Sequence, residues 1–172
     1  MPLVAFSSLP EDARVWIFGS AEALSSDDAA TLLVSIDEYL EGWRAHGSPL
    51  TVAREWRDNR FLAIGVDQSE ENASGCSLDA LFRVLQSLEQ RIGTSLLGNS
   101  RVYFRSSNGS IQATDRAGFA EQAEKGSIGA DTQVFDLSVQ TVAGWKELFE
   151  IRATNSWHRV LLPAAVRASA VA

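Results

Sequence analysis

The sequence holds a single cysteine, Cys76, and two histidines, His46 and His158, in 172 residues. An internal disulfide is therefore impossible, and the spacings of 30 and 82 residues that separate Cys76 from His46 and His158 match no zinc signature. No metal and no cofactor is expected. Basic residues are also short, with 15 Lys and Arg against 22 Asp and Glu, a net charge of -7. That balance works against binding a phosphate backbone, which needs a clustered basic face, so nucleic acid is not an expected partner. No apolar run approaches the roughly 18 residues of a membrane span, and the start MPLVAFSSLPEDAR has neither the basic opening nor the apolar stretch of a signal peptide. The expected location is the cytoplasm. Missing as well are GxxxxGK[ST], GxGxxG after a strand, HExxH and CxxC, so P-loop hydrolysis, dinucleotide binding, zincin proteolysis and dithiol redox lose their usual signatures. With no internal repeat and no Pro/Gly/Ser-rich linker, we expect one domain over residues 1–162 and an Ala-rich tail over 163–172 that is loose or a lone helix.

What is present is an ordinary globular composition, 45% hydrophobic and 22% charged. A chain of this length can bury about 70% of its unfolded surface without a metal or a disulfide. VWIFGS at 15–20 reads as a buried strand, too short for a helix. Ser25, three residues before Asp28, caps a helix whose inner face is Ala29, Leu32, Leu33, Ile36, Leu40 and Trp43, with His46-Gly47 and Pro49 as its stop. Runs at 50–56 and 60–67 form a hairpin around Arg57, Asp58 and Asn59. A second helix repeats Leu78, Leu81, Phe82, Leu85, Leu88 and Ile92 and ends at Gly93. Asn108-Gly109 predicts a type I′ hairpin between RVYFRS and SIQAT, followed by a short helix from Asp115 to Gly126, a strand at 132–139, and a turn or helix holding Trp145, Leu148 and Phe149. The order β-α-β-β-α-β over 15–106 is that of the ferredoxin-like split βαβ unit. It predicts an α+β fold with a four-stranded antiparallel sheet, both helices on one face, extended by a further hairpin strand and a C-terminal strand or helix.

Gly75-Cys76-Ser77-Leu78-Asp79 falls at the start of the second helix. Helix N-termini favour thiolates and anions, and Ser74, Gly75 and Ser77 would add main-chain and hydroxyl donors. The alternative is that Ser74 or Ser77 merely caps the helix and Cys76 is a small buried hydrophobe. A reactive thiol needs a base, for which His46 and His158 are the candidates, with Asp79 as the orienting carboxylate and Arg60 as an anion clamp. His46 also has a plain role at a helix C-terminus, where the dipole favours it. Because helix one ends and helix two begins in segments that need not share a sheet edge, His158 is expected nearer to Cys76 than His46, with Trp157 packed beside it. A rival is a non-enzymatic interaction module in which exposed Trp43 and Trp157, with a sheet edge, grip a protein partner.

Six stretches carry a resemblance: Val15-Trp16-Ile17-Phe18, Gly42 to Gly47, Asn59-Arg60-Phe61, Ser74 to Asp79, Asp131 to Phe135 and Ser156-Trp157-His158. They resemble a family of small, uncharacterised bacterial proteins often labelled "ABC transporter ATPase". The resemblance implies a kinship over residues 5–159 and places His46, Cys76, Asp79 and His158 inside the recurring stretches. It implies no activity, and the chain has no Walker loop to support the label. The function expected from the sequence is a small-molecule or anion site around Cys76, possible thiol chemistry included.

Overall fold

The computed structural model describes residues 3–69, 73–98 and 100–169, so residues 70–72 of the loop before the second helix and the last three of the tail lie outside the described residues. The chain is mixed α+β with antiparallel sheets. In chain order its elements are β1 (Arg14–Gly19), α1 (Ser26–Glu41), β2 (Arg44–Ala45), β3 (Ser48–Pro49), β4 (Thr51–Arg57), β5 (Phe61–Asp67), α2 (Gly75–Ile92), β6 (Arg101–Arg105), β7 (Ile111–Asp115), α3 (Arg116–Glu124), β8 (Gln133–Phe135), α4 (Val142–Glu147), β9 (Glu150–Arg152) and α5 (Ala164–Ser169). They divide into two compact units, Met1–Gly98 with Val139–Trp145 and Asn99–Ser138 with Lys146–Ala172. The chain passes between these units near residues 98, 138 and 145 without any linker-like tract, so composition alone carries no boundary. Among the described residues, no helix is long and apolar enough to cross a membrane.

In the first unit β5 is the central strand of the sheet β1-β5-β4. Leu62, Ile64 and Val66 alternate onto the face that α1 and α2 cover, where Leu32, Ile36, Leu40, Leu81 and Leu85 are fully buried. The opposite face is closed by the N-terminal segment. Gly65 is required there because a Cβ would lie 2.4 Å from Leu9 Cδ1. Trp145 adds to that layer, with Phe6 at 6.4 Å and the Arg57 guanidinium 4.2 Å over its ring. Beyond β1 the Gln140 carbonyl accepts from Val15 N, and Arg14 bridges Thr141.

The second unit has the sheet β7-β6-β8-β9. Phe119 and Ala123 of α3 bury against Val102, Phe104 and Val134, as their four-residue spacing requires. Asp115 caps α3 by accepting from Gly118 N at 2.7 Å. Of the two readings of the tail, the helix is the one that forms where the tail is described: Ala164–Ser169 is helical and Val166 packs on this core.

Three expectations are corrected. The four-stranded sheet over 15–106 does not form, because β6 pairs with β7 on one edge and β8 on the other and has no edge left for β1. The loop at Asn108-Gly109 is not a two-residue type I′ turn. Only Gly109 takes positive φ, 83°, and Ser106 N bonds Ser110 O at 2.9 Å across a three-residue loop. Helix one stops at Gly42, before His46, since Trp43 turns in to bond Ser77 and Arg44–Ala45 pairs with Ser48–Pro49.

Candidate functional site

Gly42 ends α1, and the next residues fold into the small β2–β3 hairpin whose turn is His46-Gly47, with φ of 51° and 87°. A non-glycine residue at positive φ carries a strain that this two-residue turn imposes. His46 is thus displayed, exposed, at a hairpin tip and not held on a helix terminus.

The first turn of α2 faces the same region. Ser74 is its N-cap: its Oγ accepts from Ser77 N at 3.2 Å, and Ser77 Oγ donates to Ser74 O at 2.8 Å. Both hydroxyls are therefore engaged inside the helix start, and Ser74 does the capping. The Ser77 carbonyl accepts from Tyr39 OH and from Trp43 Nε1, each at 3.1 Å. Those two bonds pin the last turn of α1 to the first turn of α2. Burial pushes the Tyr39 hydroxyl up to about 12, against a lowering by Arg83, so it stays protonated and remains a donor. Tyr39 and Trp43 contact each other with ring centroids 5.8 Å apart.

Between these elements lies an open groove of about 910 Å³. Its walls are Glu38, Tyr39, Gly42, Trp43, Arg44 and His46 from the α1 side and Ser74, Gly75, Cys76, Ser77 and Ala80 from α2. Cys76 is exposed, so its burial as a small hydrophobe is excluded. The structure thus brings His46 and Cys76 to one groove, although the sequence argument set them apart. That argument failed because β2 and β3 carry the chain from the end of α1 back alongside the start of α2.

The remaining predicted residues lie elsewhere. Asp79 is on α2 and exposed but does not line the groove. Arg60 sits in the turn that joins β4 to β5, whereas the groove is beside their other end, where Thr51 pairs with Asp67. It is 8% exposed and its Nη1 donates to Ala21 O at 3.4 Å, an internal use unlike that of a clamp. Trp43 is 3% exposed and bonded through its indole, so it wall-papers the groove and cannot anchor a protein partner as an exposed ring. His158 belongs to the second unit, buried at 1% exposure and stacked on half-buried Trp157 at 4.0 Å, which accords with the expected packing of that pair. Its Nδ1 is 2.8 Å from Ser156 Oγ. Sequence reasoning missed Tyr39, whose place one turn before Trp43 was the available sign of an aromatic pair.

Among the described residues, no three of His, Cys, Asp and Glu come together as a metal site. Compared with known proteins, the chain matches no protein-family model, no curated protein and no solved structure.

Proposed function

We propose that the groove of the first unit binds a small organic molecule, with Cys76 as its reactive thiol and His46 as the group that takes up or returns a proton. The supporting observation is that an exposed thiol and an exposed imidazole, 30 residues apart in sequence, line one groove. Tyr39 and Trp43, their rings tilted by 43°, supply an aromatic side to the groove, while Glu38 and Arg44 provide charges of both signs along it. The groove is open, so the chemistry it favours is displacement at an electrophilic carbon of a small molecule: Cys76 gives its proton to His46, the thiolate forms the S–C bond as the bond from that carbon to its leaving group breaks, and the departing group takes the proton back or leaves to solvent. Because Cys76 is the only thiol, alkylation of the full chain reports on this site alone. The native protein is expected to react with a small haloacetamide at neutral pH faster than a free thiol peptide. The His46→Gln variant should slow it roughly 3- to 10-fold by removing the neighbouring imidazole. A native rate equal to that of the unfolded chain, unchanged by His46→Gln, rejects the proposal.

A further inference from the structure

His158 is not used by the groove, and it is the one imidazole whose ring is buried. It sits between Trp157, stacked at 4.0 Å, and Phe119 of α3, at 5.9 Å. Its Nδ1 meets Ser156 Oγ at 2.8 Å, and that hydroxyl lies 3.3 Å from Asp136 Oδ2. The carboxylate can only accept, so the single hydroxyl proton goes to Asp136 and Ser156 Oγ accepts from Nδ1–H. This fixes the tautomer: the bare nitrogen is Nε2. Among the described residues, Nε2 is buried and has no hydrogen-bond partner. A proton arriving there would create a charged N–H with nothing to receive it.

We propose that His158 is an acid-sensitive latch of the second unit, in which protonation of Nε2 releases residues 156–162 from α3. The segment that would move is a short 3-10 turn, Trp157–Leu161, which meets α3 through the His158 ring on Phe119 and the Trp157 ring under Arg116, with Leu161 and Leu162 in the same apolar cluster. Two charged groups act on the ring. Asp136, after β8, favours its charged form, while Arg116 of α3, stacked 5.0 Å over Trp157, opposes it. Burial outweighs both and lowers the imidazole from 6.5 to about 4. The closed form therefore binds fewer protons than the open one between those two values. Closure is fully stable above about pH 6.5 and is weakened as the pH falls from there toward 4.

The test is hydrogen exchange on the full chain at about pH 7 and about pH 4.5, expressed as protection factors. Residues 156–162 are expected to lose protection by about 60-fold, while the strands of the first unit do not follow. His158→Asn keeps a side-chain N–H that can reach Ser156 but cannot take up a proton, and should reduce the change to less than about 3-fold. Titration of carboxylates is common to both proteins and cancels. Should that variant not fold, the NMR titration of the imidazoles in the unmodified chain, taken with its hydrogen exchange, decides the matter. His158 titrating near 4, together with loss of protection, supports the latch; titration near the ordinary 6.5 with protection intact overturns it. Equal loss of protection in the wild type and His158→Asn overturns it as well.

Discussion

The two units treat their polar residues in opposite ways. The first carries 7 arginines against 15 acidic residues, a net of -8, while the second has 8 Lys and Arg against 7 acidic residues, a net of +1. The chain's acidity is thus a property of the first unit alone. In that unit the exposed chemistry-bearing side chains, Cys76 and His46, stand on an open groove, and the hydrogen bonds beneath them are made by Tyr39 and Trp43 to a backbone carbonyl. In the second unit the imidazole is inside the core, with its partners buried beside it. Ionisable groups that are to meet a ligand must remain hydrated, whereas one placed in a core must be held neutral by its surroundings. The first arrangement suits binding. The second suits a response to protonation.

That contrast makes a prediction about where removing a polar group hurts. Ser156→Ala deletes the acceptor of His158 Nδ1–H and one donor to Asp136; Asp136 is half-buried and keeps its Ser138 donors, but the Nδ1–H is left unpaired in a buried place. It is expected to cost about 1–3 kcal/mol, the penalty of an unsatisfied buried group. Chemical denaturation followed by near-ultraviolet signals would measure it, and a loss below about 0.5 kcal/mol would show that the second unit is less tightly built than the contrast requires. The comparable experiment on the first unit is Arg54→Ala. Arg54 makes two bonds of 2.7 Å to Asp37, joining β4 to α1, yet the two side chains are 27% and 34% exposed. Solvent screens such a pair, so we expect a loss of about 1 kcal/mol or less, reduced further in high salt.

Much of the local structure was legible because it rests on rules that act over a few residues. The Ser25 cap, the Gly93 stop with φ of 77° and the leucine stripe of α2 stand where the sequence set them, and the helix read from Asp115 begins one residue later with Asp115 as its cap. Sheet membership was only partly legible. The β6–β7 edge was legible from the hairpin signal at Asn108-Gly109, but nothing in RVYFR says that the other edge of β6 is to be filled by β8, about 30 residues downstream, rather than by β1. The candidate site was half legible for a related reason. The start of α2 could be read from Ser74 and the leucines, which placed Cys76 correctly at a helix N-terminus. The groove opposite it depends on a two-residue hairpin, β2–β3, whose strands are too short to leave a periodic signal. His46 was accordingly read as a helix-end residue and ranked behind His158 as a partner for Cys76, whereas it lines the same groove as the thiol.

The smallest effect expected separates the groove from the scaffold that builds it. Cys76 is in the first turn of α2, exposed, and none of the described hydrogen bonds of that turn runs through its sulfur: the cap belongs to Ser74, and the ties to α1 end on the Ser77 carbonyl. Serine is well tolerated at a helix start and differs from cysteine there by one atom. Cys76→Ser should therefore change stability by less than about 0.5 kcal/mol, as befits an exposed position with no packing role. It should also leave the amide protection of Ser77 and Leu78 as it was, while abolishing all thiol labelling. Were Cys76→Ser instead to destabilise the chain by more than about 1 kcal/mol, the thiol would have a structural role that its exposure hides. The groove would then be better regarded as a packing defect between two helix ends than as a binding site, and the contrast between an open first unit and a sealed second one would lose its functional meaning.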